Sequence, residues 1–111
     1  MDIKKLVDTW LKASNDYDTG RYLDTYHPDA SLEDSTIAEV YNGRDEIQRY
    51  FDEYFIGYKT QTRIKNLIIL EAGHKAHIEA VFNGDAFTDL NGVFELTFDN
   101  DKIRQAVCYI T

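Results

Sequence analysis

Asp34 closes the stretch YHPDASLED, residues 26–34, and its position best suits it to proton transfer. A carboxylate at the end of an apolar-leaning strand can face a cavity. Burial there favours its neutral form and makes it a better base near neutral pH. The competing reading is an acid that marks where a strand leaves the core, bonded to backbone N–H groups or to Tyr26. Glu33 alternates to the opposite face and reads as solvated. The aromatics Trp10, Tyr50, Phe51, Tyr54, Phe82 and Phe94 recur at core spacing and could line such a cavity or simply fill it. Tyr50 and Tyr54 would bring hydroxyls.

Other groups with chemistry are sparser. His27 precedes Pro28 and reads as a capping or surface histidine. His74 and His77 lie near Glu79, but three convergent ligands are not evident, so no metal is expected. Cys108 has no catalytic signature around it and reads as a small core residue. No GxSxG, P-loop or dinucleotide glycine pattern occurs, and no cofactor is expected.

The elements that must position these residues follow from periodicity. Ile3, Leu6, Val7, Trp10, Leu11 and Tyr17 form one stripe, so residues 2–17 predict a helix. Asp18-Thr19-Gly20 breaks it, a short helix is expected over 21–26, and the His27-Pro28 pair ends that one. Ala30 to Asp34 predicts a short strand. Ile47, Tyr50, Phe51, Tyr54 and Phe55 give a third, aromatic-faced helix over 44–55, with Asp45 and Glu46 favourably placed in its first turn. Strands are then expected over 60–71, 75–82, 93–98 and 103–110. Asn83-Gly84 predicts a type I′ hairpin, Asn91-Gly92 a bulge, and Asn100-Asp101 a further turn.

Composition sets bounds. The 111 residues predict one domain spanning 1–111, with 43% hydrophobic and 14% aromatic residues. One cysteine precludes an intrachain disulfide and points to the cytoplasm. The opening MDIKKLVDTW has no signal-peptide pattern, and no run approaches the roughly 20 apolar residues of a membrane helix. A net charge of −8 repels phosphate backbones, so nucleic acid is not an expected partner. Leu67 to Leu70 is apolar on both faces, and Val81, Val107 and Tyr109 sit opposite the presumed core side, which suggests a homodimer through the back of the sheet.

In order and spacing, YHPDASLED, the nine-residue step from Asp34 to Gly43 in NGRDEI, the VFNG segment and the closing FDNDKI resemble the NTF2-like superfamily, in its SnoaL-like and ketosteroid-isomerase-like branch. The resemblance implies an α+β, cystatin-like cone: three N-terminal helices packed on a curved antiparallel β-sheet that encloses a pocket. It sets Asp34 at the general base of ketosteroid isomerases and Tyr26 at a supporting tyrosine. Trp10 stands at the oxyanion-hole tyrosine, Phe51 at a further tyrosine and Phe94 near the protonated acid. The base position is kept and both oxyanion donors are replaced, which argues against steroid isomerisation, since losing one such donor commonly costs on the order of a hundredfold. The Asp–Arg–Asp set of epoxide hydrolases with this fold would need Arg63 and Asp89 beside Asp34. The function implied is a small-molecule-binding domain for a small apolar or carbonyl-containing ligand. In one reading it is a cofactor-independent isomerase, cyclase or lyase with Asp34 as base and Tyr26 orienting it. The alternative is a non-catalytic ligand-binding or protein-interaction domain.

Overall fold

The computed structural model describes residues 1–111, the exposure of Gly73 aside. Helix α1, Ile3–Asn15, starts where the Asp2 side chain accepts a hydrogen bond from the Lys5 N–H at 3.1 Å. It buries Ile3, Val7, Trp10 and Ala13 on one face. Helix α2, Thr19–Asp24, starts on Asp18 in the same way, its carboxylate accepting from the Arg21 N–H. Strand β1 then runs Tyr26–Asp34 and pairs with the short β2, Glu39–Asn42. Helix α3, Gly43–Phe51, has no bond from the Asn42 side chain; the Glu46 carboxylate instead accepts from the Asn42 N–H at 2.9 Å, one residue beyond the usual capping-box position.

Strands β3 (Gln61–Leu70), β4 (Lys75–Asn83), β5 (Leu90–Asp99) and β6 (Lys102–Ile110) complete a six-stranded sheet of order β2-β1-β6-β5-β4-β3. The helices cover one face of this curved sheet, which makes the fold α+β. Two parts of the expected architecture change. The helices are not all N-terminal, since α3 follows β1 and β2. The sheet is not wholly antiparallel, because β1 lies parallel to β6. That pairing is possible because the whole chain between them serves as the crossover that a parallel pair needs.

The strand β1 begins at Tyr26, not Ala30, so the residue before Pro28 is extended because it is already in a strand. Asn83-Gly84 is not a two-residue hairpin: neither residue has positive φ, and residues 84–89 form a longer connection. Gly84 is there for close approach, since a Cβ would lie 2.7 Å from the Tyr58 carbonyl oxygen. The two-residue turn is Asn100-Asp101, with φ of 52° and 62°, joining Asp99 to Lys102 in register. No register shift occurs at Asn91-Gly92; shifts fall at Ile64/Asn66 in β3 and Thr97/Phe98 in β5.

On the covered face, Ile78, Phe94, Leu96, Ile103 and Ala106 pack against the helices. Gly92 lies under the Phe82 ring, where an added Cβ would meet ring carbon Cε2 at 2.5 Å and the Tyr109 carbonyl oxygen at 3.0 Å. The ladder fixes the backbone on both sides, so neither neighbour can withdraw freely. Gly92→Ala is therefore expected to cost about 1–3 kcal/mol of stability. Urea denaturation of the purified variant checks this, and a midpoint equal to wild type would show that the ring moves without strain.

Candidate active site

Two polar clusters lie at opposite ends of β1. At its start, the Trp10 Nε1–H donates to the Tyr26 hydroxyl at 3.2 Å, and the Tyr22 and Tyr26 hydroxyls are 2.8 Å apart. Trp10 comes from α1, Tyr22 from α2 and Tyr26 from β1, and all three are buried. Tyr22 stacks on Phe51 with ring centroids 3.9 Å apart, and Trp10 meets Phe94 edge-on at 4.9 Å. The space that the resemblance would give to an oxyanion hole is thus filled by packed rings.

At the other end of β1, alternation carries Ala30, Leu32 and Asp34 toward the covered face. The Tyr50 hydroxyl, from α3, donates to Asp34 Oδ2 at 2.6 Å. The Thr36 N–H donates to Asp34 Oδ1 at 3.0 Å. Burial, the nearby Cys108 and the bond to Asp34 raise the Tyr50 phenol far above its usual value, so the shared proton stays on Tyr50.

Asp34 and Tyr50 border an apolar cleft of about 180 Å³. Its walls come from Tyr54, Phe55 and Tyr58 on one side and Phe82, Phe87 and Leu90 on the other, with Ile37 and Ile110 at the rim and Cys108 inside. After Phe51 the helix loosens into a π-helical turn, Asp52–Ile56, closed by the Gly57 N–H donating to the Asp52 carbonyl at 2.8 Å. Such turns shift the following side chains around the helix axis. Here Tyr54, Phe55 and Tyr58 all reach the cleft. The Thr60 hydroxyl caps the Tyr54 carbonyl at 2.7 Å. The connection 84–89 is tied to the same segment, the Asp85 N–H donating to the Tyr58 carbonyl at 2.8 Å, which sets Phe87 against Tyr58. The β1–β2 turn hangs on β6: the Ser35 N–H donates to the Cys108 carbonyl, and the Ile110 N–H donates to the Thr36 hydroxyl.

Of the residues singled out from sequence, Asp34, Tyr50, Tyr54 and Phe82 come together in the cleft. Trp10, Phe51 and Phe94 do not line it; they lie in the core. Tyr26, expected to orient Asp34, bonds Trp10 and Tyr22 instead, because the strand separates it from Asp34 by its whole length. Its place beside Asp34 is taken by Tyr50. Arg63 and Asp89 are exposed outside the cleft, so no Asp–Arg–Asp set assembles. His27 accepts from the Asp29 N–H at the surface, and His77 pairs with Glu95 across β4 and β5. Among the described residues no three His, Cys, Asp or Glu side chains are grouped to hold a metal ion. Sequence reasoning missed Tyr58, Phe87 and Leu90 as cleft residues. Tyr58 had a signal, standing one helical repeat beyond Tyr54.

The buried hydroxyls and thiol make stability pH-dependent. Burial pushes Tyr26 up to about 12. Burial and the charge of Asp34 push the Cys108 thiol up to about 12, with the neighbouring Tyr50 working the other way. In the unfolded chain these groups ionise at about 8.5 for Cys and about 10 for Tyr. Between those values and about 12 the unfolded state holds fewer protons than the folded one, so stability falls as pH rises through that window. Urea midpoints measured from pH 8 to 11 should decline with pH, and Cys108→Ala should remove the earliest part of the decline. A flat profile would show that these groups titrate as if exposed.

The fold and its family can be placed by likeness. No curated protein matches the chain by sequence. Among solved structures, the epoxide hydrolase/cyclase-like enzyme SalBIII, involved in pyran ring formation in the polyether salinomycin, is similar at 15% identity. The match covers 98% of this chain and 90% of that one, with a TM-score of 0.86. A hypothetical protein with a ketosteroid-isomerase-like fold from Catenulispora acidiphila, in complex with trimethylamine, is similar at 17% identity over 94% of this chain and 83% of that one, TM-score 0.80. An NTF2-like protein of unknown function from Cytophaga hutchinsonii is similar at 10% identity over 100% and 91% of the two chains, TM-score 0.84. At such identities the likeness carries the fold alone: NTF2-like, or cystatin-like. The SnoaL-like domain family matches residues 7–106, from within α1 to the middle of β6, and the chain belongs to that family.

Proposed function

We propose that the cleft binds a small, mostly apolar molecule carrying a carbonyl group, and that Asp34 moves a proton on it without a cofactor. The observation that carries this reading is the Tyr50–Asp34 hydrogen bond of 2.6 Å at the wall of an otherwise apolar cleft. Asp34 would take a proton from the carbon next to the carbonyl. The C–H electron pair would pass into an enolate, and the same carboxyl would return the proton at the same or another carbon. Tyr50 orients the carboxylate. Burial, with Glu53, Tyr58, Asp34 and Glu39 nearby, raises the Tyr54 phenol, which keeps it protonated as a donor to the enolate oxygen. The reaction class is isomerase, cyclase or lyase. The trimethylamine complex of a protein with this fold supports use of the fold for small ligands.

One observation favours binding without turnover. Both oxygens of Asp34 already accept a hydrogen bond, as in a structural cap. The two readings separate in D₂O. Proton NMR of small cyclic ketones mixed with the protein should show loss of the signal adjacent to the carbonyl. Asp34→Asn should slow it on the order of 10²–10⁴-fold. If Asp34→Asn exchanges as fast as wild type, Asp34 is not the base. If ketones bind and wild type exchanges none, the domain is a binding module.

The back of the sheet supports a homodimer as the assembly, and the single cysteine supports a reducing, cytoplasmic setting. Ile68 and Leu70 are 45% and 52% exposed on that face, and the half-buried Val107 lies on the same face three strands away, across His77 and Glu95. No helix is long and apolar enough to cross a membrane. Size-exclusion chromatography with light scattering should give twice the chain mass at micromolar concentration. Ile68→Glu should give the monomer mass with an unchanged circular dichroism spectrum. A monomeric wild type would remove the proposal.

A further inference from the structure

The cleft has a composition that a purely apolar ligand does not need. Asp34 is the one charged side chain in its lining, and among the described residues no Lys, Arg or His lines it. Against this carboxylate stand aromatic rings in an unbroken series. Ring centroids are 5.1 Å apart for Tyr50 and Tyr54, 6.3 Å for Tyr54 and Tyr58, and 6.2 Å for Tyr58 and Phe87. Phe55 and Phe82 close the far wall. The faces of such rings are electrically negative and attract cations. Glu39 sits opposite Asp34 in the β1–β2 ladder and adds to the negative potential. The chain carries a net charge of −8, which draws cations from solution.

From this arrangement we infer that the small ligand of the cleft carries, beside any carbonyl, a cationic group: an ammonium methylated at nitrogen on a short chain. The inference rests on the binding half of the function proposed above and uses none of its proton transfer. Methylation follows from the shortage of acceptors. Apart from Asp34, the polar side chains that line the cleft are hydroxyls: Thr36, Thr60 and the three tyrosines. Thr36 already accepts from the Ile110 N–H, while Thr60 and Tyr50 donate to the Tyr54 carbonyl and to Asp34, bonds that fix the direction of their remaining lone pairs. A primary ammonium would bring three N–H donors and leave some of them unpaired, which is costly in an apolar site. A trimethylammonium group brings none, spreads its charge over methyl groups that fit against ring faces, and suits a volume of about 180 Å³.

The test compares two probes of the same shape, choline and its neutral isostere 3,3-dimethylbutan-1-ol, titrated into the ¹⁵N-labelled full chain. Amide shifts locate each probe and give its Kd. Choline should bind roughly tenfold or more tightly than the alcohol, with shifts at Asp34, Tyr54, Tyr58 and Phe87. Asp34→Asn should weaken choline severalfold and leave the alcohol unchanged. Tyr58 is 39% exposed, so Tyr58→Leu should fold and should also narrow the gap between the probes. Equal affinities for the two probes would overturn the inference and leave small-molecule binding standing. Choline shifts confined to another surface would overturn it as well. If neither probe nor any of the ketones binds, both the inference and the proposed function fall.

Discussion

Three polar aromatic groups are buried together, and their mutual satisfaction governs how the chain folds. The Trp10 N–H and the Tyr22 and Tyr26 hydroxyls have no access to water, and each would carry a desolvation penalty of about 1–3 kcal/mol if left without a partner. They avoid it only in one arrangement, with α1, α2 and β1 brought to a common point. Arg44 secures the same place from α3, its guanidinium donating twice to the Tyr26 carbonyl. Hydrophobic burial alone would let the helices slide across the sheet. The directional bonds of this trio stop them.

With that end closed around Tyr26, the cleft beside Asp34 forms at the other end of β1. There the helix after Phe51 widens into a π-helical turn and meets the connection 84–89, so two segments without strand pairing share a wall. The Asp85 N–H bond to the Tyr58 carbonyl pins these two segments to each other, and bonds to Cys108 and Ile110 pin the β1–β2 turn at the edge of the same cleft. The result is a cleft held by backbone bonds and by the Thr36 and Thr60 hydroxyls at its edge. That leaves Tyr54, Tyr58 and Phe87 free to serve a ligand. Asp34 is placed by its strand and oriented by Tyr50, a combination that serves either a poised base or a fixed negative charge.

The exchange of partners between Tyr26 and Tyr50 carries the main lesson for the site. Both tyrosines were visible beforehand, and both belong to the covered side of the fold. What decided between them was distance along β1 against distance across to α3. A residue eight positions away on a strand is roughly 26 Å distant along its axis. A helix packed across the sheet can bring a hydroxyl into direct contact. Motif matching places residues along a chain and says little about that crossing.

Much of the architecture was legible without coordinates. The stripe in α1, the aromatic face of α3, the alternation that turns Leu32 and Asp34 inward and the final hairpin at Asn100-Asp101 are local consequences of side-chain spacing and backbone preference, which act within a few residues. The parallel pairing of β1 with β6, the short β2 and the failed hairpin at Asn83-Gly84 were not legible, because each depends on a partner far away in sequence. The same holds for the site. Sequence alone determined that an acid and many aromatics would share one face. Only tertiary packing decided which aromatics would be wholly enclosed in the core, as Trp10, Phe51 and Phe94 are, and which core aromatics would also border the cleft, as Tyr50 and Phe82 do with Tyr54 packed against them. That choice turns on how much volume the helices and the sheet leave between them, a property of the whole fold that no single stretch of sequence contains.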